Sequence, residues 1–278
     1  MRIVSSLADL NSARRAFPEL GFVPTMGFLH EGHLSLVRRA RLECGAVAVS
    51  IFVNPTQFSP SEDLDRYPRD MPRDLALLQA EEADLVFLPD VETIYPRGFA
   101  TTIDVGPVAT VLEGAARPVH FPGVATVVAK LFNMVRPTRA YFGQKDAQQC
   151  IVIRRLVRDL NIPLEVIVAP TVREPDGLAM SSRNAYLTPE QRAAAPVLWR
   201  ALNAAKSAFE SGERDGQALR AAMTHVLTTE PQGNLDYVSV ADPDDLTELT
   251  TVGVSALASM AVRFGGTRLI DNIVLGGA

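Results

Sequence analysis

The sequence predicts an α/β protein: an open sheet of the parallel kind with helices on both faces, followed by a smaller α+β unit. Three observations carry that prediction. Short apolar runs, most of them stopped by glycine or proline, alternate with segments of helical spacing. Residues 46–53, A-V-A-V-S-I-F-V, are apolar almost without a break, the pattern of a strand buried on both faces. After Thr171 the alternation gives way to alanine-rich stretches.

The elements follow in order. Residues 20–23 form a brief apolar entry to a glycine turn, and 34–42 have the spacing of a helix, with Leu34 and Val37 one turn apart. The strand 46–53 is stopped by Pro55. Residues 75–80 read as helix, and 85–88 as a short strand closed by Pro89. A helix over 124–135 ends before Pro137, a strand over 139–142 runs into Gly143, a helix covers 148–160, and a strand over 164–169 stops at Pro170. Beyond that, Pro189 starts a long alanine-rich helix reaching about residue 211, with Thr188 as its cap. A helix over 215–228 and strand-like runs at 235–240 and 268–274, around an alanine-rich stretch, complete the second unit. The turn residues Glu174, Asp176 and Gly177 place the boundary in that region, giving domains 1–172 and 173–278. No internal repeat or low-complexity tract stands out.

With 278 residues, 47% apolar and 21% charged, the chain has the composition of a soluble enzyme-sized protein. A net charge of −5 gives no push toward nucleic acid or acidic membranes. The two cysteines, Cys44 and Cys150, make neither a disulfide framework nor a zinc motif, and both read as reduced and structural. The N-terminus shows no secretory signal, and the runs 46–53 and 252–262 are too short to span a bilayer, so a cytoplasmic location is expected.

Chemistry concentrates in a few segments. Residues 24–33, P-T-M-G-F-L-H-E-G-H, set His30 and His33 three apart just after a glycine turn, where a strand hands over to a helix. A helix start offers unpaired N–H groups and a field that favours anions, and imidazoles there can donate to phosphoryl oxygens. Zinc is a weaker reading, because no third ligand is near. Residues 52–58, F-V-N-P-T-Q-F, follow the buried strand, so Asn54 and Gln57 stand where open α/β folds bind ligands, or simply cap a loop. Asp63, Asp65, Asp70 and Asp74 form an acidic run that either holds a magnesium ion or is a solvated surface. Residues 143–149, G-Q-K-D-A-Q-Q, again join strand to helix; Lys145 can reach phosphate, Asp146 can accept from ribose hydroxyls, and Gln149 lies one turn on. Residues 180–184, M-S-S-R-N, offer hydroxyls and a guanidinium to anionic oxygens. His120 precedes a helix, while His225 reads as a helix-face residue.

Taken in order, P-T-M-G-x-L-H-E-G-H, S-I-F-V-N-P-x-Q-F, D-L-x-x-Y-P-R, H-F-x-G-V-x-T-V-V-x-K-L-F, G-x-K-D-x-Q-Q and M-S-S-R-N closely resemble the pantothenate synthetase (pantoate–β-alanine ligase) family, over about residues 1–275. The H-x-G-H element alone resembles only the wider nucleotidylyl-transferase superfamily. In place of that superfamily's K-M-S-K-S loop this chain has M-S-S-R-N. The resemblance implies a Rossmann-like domain binding nucleotide and pantoate, a C-terminal lid domain, and a homodimer. It implies condensation of (R)-pantoate with β-alanine through a pantoyl-adenylate, with ATP consumed, magnesium required, and AMP and pyrophosphate released. His30, His33, Lys145, Ser181, Ser182 and Arg183 would be catalytic. Pro24, Met26, His33, Gly143, Lys145, Asp146, Val172, Met180, Ser181, Ser182 and Arg183 would meet ATP. Among the substrate-binding residues, Gln57 and Gln149 would hold pantoate, Asn54 would assist near the transferring phosphate, and His120 and Tyr67 would help close the site, while Asp74 matches a magnesium position. Membrane and nucleic-acid partners are not expected.

Overall fold

The computed structural model describes residues 1–60, 62 and 64–277. It divides into two compact units, one of residues 1–143 and 148–170, the other of 144–147 and 171–278.

In the first unit the strands are β1 (Arg2–Val4), β2 (Gly21–Thr25), β3 (Val47–Ile51), β4 (Leu85–Phe87), β5 (Arg139–Gly143) and β6 (Glu165–Ala169). They form one sheet in the order β1-β4-β3-β2-β5-β6, and every pairing is parallel. The helices are α1 (Leu7–Arg14), α2 (Glu31–Cys44), α3 (Met71–Ala80), α4 (Val91–Ile94), α5 (Glu113–Ala116), α6 (His120–Val135) and α7 (Ala147–Asp159). Successive strand residues feed two different cores. Phe22, Ala48, Phe87 and Phe142 pack with α1, α6 and α7, while Val23, Val49, Val86 and Tyr141 pack with α2 and α3. This period of two, with both faces covered, is why the strand sequences are apolar throughout. The expected class, an open α/β sheet of the Rossmann-like kind with a smaller α+β unit, is what the chain forms.

The second unit holds α8 (Pro189–Ala194), α9 (Val197–Glu210), α10 (Gly216–Leu227) and an antiparallel sheet, β7 (Gly233–Ala241), β8 (Ser255–Phe264) and β9 (Thr267–Gly276), in that order. Its core joins Leu198, Leu202, Leu219, Met223, Val240, Met260 and Phe264.

One sequence expectation needs correction. The single helix expected to start at Pro189 and reach about 211 is two helices, broken at Ala195–Pro196. Pro196 has no N–H for an intrahelical bond, and its ring crowds the preceding turn. The alanine-rich stretch between the two strand-like runs, given no element from the sequence, holds the central strand β8, although alanine favours helices. Pairing with β7 on one side and β9 on the other, with 256–262 buried, overrides that preference. The short strand β1 and helix α1 were not anticipated either.

Candidate functional site

In the first unit the chain leaves β2 toward β3 on one side and returns to β5 on the other, so β2 and β5 flank the point where the strand order reverses. Crevices at such points, at the C-terminal ends of strands, are where open α/β sheets bind ligands. The β2–β5 ladder covers only Gly21–Phe22 against Arg139–Ala140. Pro24, farther along β2, brings no N–H to extend it. The Thr25 hydroxyl ends the strand by donating to the Ser50 carbonyl (2.8 Å) and accepting from Gly27 N (3.2 Å).

The turn that follows is held from α3. Gly27 (φ 82°) and Phe28 (φ 51°) are both left-handed, a conformation costly for phenylalanine. The Asp74 carboxylate, only 1% exposed, accepts the backbone N–H of Phe28 at 2.7 Å and of Leu29 at 2.8 Å. Arg73 Nη1 donates to the Leu29 carbonyl at 3.0 Å.

His30 then caps α2. Its Nδ1 accepts from Gly32 N (3.2 Å), and His33 Nδ1 accepts from the backbone N–H of His30 (3.3 Å), a reciprocal capping box made by two imidazoles. An Nδ1 that accepts a backbone N–H carries no proton, so each neutral ring has its proton on Nε2. The rings lie 4.1 Å apart between centroids, tilted by 44°. The cap therefore fixes both tautomers and makes Nε2–H the donor of each ring, at a helix N-terminus.

Beyond β3, Asn54 caps a short turn at Pro55–Gln57. Its amide is fully used: Oδ1 accepts from Tyr95 Oη (2.8 Å) and Thr56 Oγ1 (3.0 Å), and Nδ2 donates to Gln57 Oε1 (3.1 Å) and the Gly123 carbonyl (3.2 Å). Burial pushes the Tyr95 hydroxyl above its ordinary pKa and outweighs its hydrogen bonds to Thr56 and Asn54, which favours the protonated donor. Gln57, its oxygen taken by Asn54, turns its amino group to the Met26 thioether at 3.2 Å. The Gln57 carbonyl accepts from His120 Nδ1 (3.2 Å), at the start of α6, and from Arg117 Nη2 (3.4 Å), which also pairs with Glu62. Gly123 of α6 lies against the turn so closely that a Cβ there would come within 2.6 Å of the Thr56 carbonyl oxygen. Tyr67 is buried edge-on to Phe58 at 6.0 Å, and Gln149 lies half-buried on α7.

The second unit gathers another set. Lys145 Nζ lies 3.1 Å from Asp146 Oδ1. The Val172 carbonyl accepts from Met180 N (3.0 Å), and an antiparallel bridge joins Arg173 to Ala179, so the two stretches run side by side. Ser181 caps the turn Ser182–Tyr186 by accepting from Arg183 N (3.2 Å), and Asn184 Nδ2 ties that turn to the Ala179 carbonyl (3.1 Å).

The structure thus sets Pro24, Met26, His30 and His33 along β2 and the helix start after it, and Asn54, Gln57, His120 and Tyr67 about the turn after β3, the two linked at Met26–Gln57; Lys145, Asp146, Val172, Met180, Ser181, Ser182 and Arg183 belong to the other unit. Gly143 ends β5. The acidic run does not form a cluster: Asp70 caps α3, Asp65 is exposed, Asp74 is buried on the 28–29 amides, and Asp63 lies outside the described residues. Among the described residues no group of three or more His, Cys, Asp or Glu is placed to hold a metal ion. His225 is in the last turn of α10, as a helix residue. Tyr95, Arg73 and Arg117, which shape the first set, carried no local sequence signal.

Residues 2–274 match the family described as Pantoate-beta-alanine ligase. A pantothenate synthetase of Roseiflexus sp. (strain RS-1) is 67% identical over 276 residues, 99% of this chain and 99% of that one. Another, of Chloroflexus aggregans, is 64% identical over 276 residues, covering 99% of this chain and 100% of the relative. The crystal structure of pantothenate synthetase from Thermus thermophilus superposes with a TM-score of 0.94 at 52% identity, over 98% of this chain and 99% of that one. That of a pantoate-beta-alanine ligase from Francisella tularensis, complexed with beta-gamma ATP and beta-alanine, gives 0.80 at 34% identity, over 99% and 97%. Matched across nearly its whole length by that family and by these relatives, the chain belongs to the pantoate-beta-alanine ligases.

Proposed function

We propose that His30 and His33 act together as Nε2–H donors to ATP in the first step of the ligase reaction. The chain is an AMP-forming ligase that condenses (R)-pantoate with β-alanine at the expense of ATP, through a pantoyl-adenylate. In that step a pantoate carboxylate oxygen bonds to the α-phosphorus and the bond to pyrophosphate breaks. In the second, the β-alanine amine attacks the acyl carbon, AMP leaves, and the amine gives up a proton.

Both reactants of the first step are anions, so their repulsion must be offset. In our reading Lys145, Ser181, Ser182 and Arg183 take the phosphate oxygens, with Lys145 giving up Asp146 as its partner. Asp146 then accepts from ribose, while Gly143, Val172 and Met180, with Pro24 and Met26, line the nucleotide. Gln57 and Gln149 hold pantoate. The Gln57 amino group would exchange a weak thioether acceptor for a substrate oxygen. Asn54, Tyr95 and His120 act by holding Gln57, and Tyr67 by packing beneath the loop.

Magnesium would arrive with ATP and be held chiefly by phosphate oxygens and water, where it neutralises charge. In our reading Asp74, almost wholly buried, serves instead as the anchor of the 28–29 amides. A cytoplasmic homodimer is the remaining expectation; light scattering of the purified chain checks the dimer. Among the described residues no helix is long and apolar enough to cross a membrane.

The observation that carries the histidine role is the imidazole capping box, which aims two Nε2–H donors from a helix N-terminus. Loss of one preorganised donor typically costs about 3–4 kcal/mol in a transition state. His33→Ala should therefore fold but lose pyrophosphate release from ATP plus pantoate by at least about 100-fold. Turnover near that of the unmodified chain would remove the histidine from the mechanism. AMP formation, followed with ATP, pantoate and β-alanine omitted in turn, separates this ligase from a transferase that needs no amine.

A further inference from the structure

We propose that Asn272, on β9, is a positioning residue that sets the direction of the Lys145 side chain; this rests on the reading of Lys145 as a phosphate ligand. Segment 144–147 falls between β5 and α7 in the chain, yet it packs with the second unit. A buried amide of that unit grips it. Asn272 is 4% exposed, and its Nδ2 donates to the carbonyls of Gln144 (3.0 Å) and Lys145 (2.9 Å). Its Oδ1 accepts from Gln144 Nε2 at 3.1 Å.

Those two carbonyls belong to the peptide planes on either side of the Lys145 Cα. Fixing both planes fixes φ and ψ of Lys145, and with them the direction of its Cα–Cβ bond. Asparagine suits the task because its amide carries two N–H donors on one nitrogen; serine has one and an ionised aspartate has none.

The amide is itself set on a rigid base. The backbone N–H of Asn272 donates to Asp271 Oδ1 at 2.8 Å. Asp271 takes a two-point contact from Arg173, at 2.6 and 2.9 Å. Arg173 also donates to the Gly177 carbonyl (3.0 Å) and stacks on the Trp199 ring at 3.9 Å. A bidentate guanidinium–carboxylate pair resists rotation about either side chain. The neighbouring backbone of β9 is thereby kept in one register. The Lys145 ammonium, 3.1 Å from Asp146, then starts each cycle from a defined place rather than from a mobile loop.

The test is a double-mutant cycle on the full chain. Asn272→Ala should raise KM for ATP or lower the rate of pyrophosphate release, together by about 10-fold or more, from the loss of both Nδ2 donations to the carbonyls that flank the Lys145 Cα. KM for pantoate should stay within about 2-fold, and Gln144→Ala, which keeps both Nδ2 donations, should do the same for ATP. In a Lys145→Ala background the Asn272 substitution should add little, because its effect passes through Lys145. Asn272→Ser, which keeps one donor, should fall between and serves where the alanine variant does not fold. Fully additive losses, or an Asn272→Ser enzyme with unchanged ATP kinetics, would overturn the proposal. Absence of ATP-dependent turnover in the unmodified chain would instead bring down the phosphate reading beneath it.

Discussion

Asp74 gives the sharpest quantitative test of how the histidine turn is built. Its carboxylate accepts the N–H groups of Phe28 and Leu29 at 2.7 and 2.8 Å and is almost wholly buried. A hydrogen bond to a charged acceptor contributes about 1.5–3 kcal/mol, so the pair holds the turn with about 3–6 kcal/mol. Against this stands the strain of the left-handed Phe28, about 1–2 kcal/mol. Asp74→Asn keeps one acceptor oxygen and points an amino group at the other N–H, so it should forfeit about half the anchor. At about 1.4 kcal/mol per factor of ten, that lowers the equilibrium constant for the productive turn by about 10- to 100-fold and brings the turn close to balance with its strain. Pyrophosphate release from ATP plus pantoate should fall accordingly, and further in Asp74→Ala. Hydrogen exchange at the Phe28 and Leu29 amides should accelerate in step, while the magnesium concentration for half-maximal activity stays where it was. The opposite pattern, protected amides and activity restored by added magnesium, would show the carboxylate to be a metal ligand and refute the anchor.

Other perturbations address neighbouring contacts. Gly123→Ala places a Cβ within 2.6 Å of the Thr56 carbonyl oxygen, so the turn bearing Gln57 must move. It should cost about 1–3 kcal/mol in denaturant unfolding and raise KM for pantoate, and a silent substitution would mean that α6 can retreat without the turn. Glu62 answers to pH. Burial alone raises its carboxyl, but the Ser59 N–H and the Arg117 guanidinium together hold it below the usual range. A carboxyl lowered on folding adds stability that is complete above its unfolded value, about 4.3, and is lost as pH falls through the lower folded value. Acid unfolding should therefore be less steep below about pH 4 in Glu62→Gln than in the unmodified chain, and identical acid profiles would exclude the pair as a contributor.

How much of this was legible depends on the distance between partners in the chain. Pro55, Pro89 and Gly143 mark the ends of strands through their own backbone chemistry, so the sheet could be read from short windows. Thr188, next to Pro189, announced its helix start for the same reason, and Gln191 completes its capping box in the structure. Strand β8 could not be read so, because its residues favour helix locally and only pairing with β7 and β9 makes them extended. The site divides along the same line. His30 and His33 stand three apart and were recognisable as a pair. The role of Asp74 was not, since its partners lie about 45 residues back and its run of acids suggested a surface. Tyr95, 41 residues from Asn54, and Asn272, 127 residues from Lys145, have no local pattern that distinguishes them.

The hydrogen bonds from Tyr95 through Asn54 to Gln57 all run one way, each group handing a proton toward the next acceptor. Gln57 is thereby held with its amino group, a donor, turned to the Met26 side. A substrate oxygen at Gln57, as proposed above, would meet a donor, whereas a cationic head would meet repulsion that turning the Gln57 amide relieves only by setting its amino group against that of Asn54. On that reading, re-engineering this enzyme for an amine-bearing first substrate would begin at the tyrosine, two residues removed from the proposed contact.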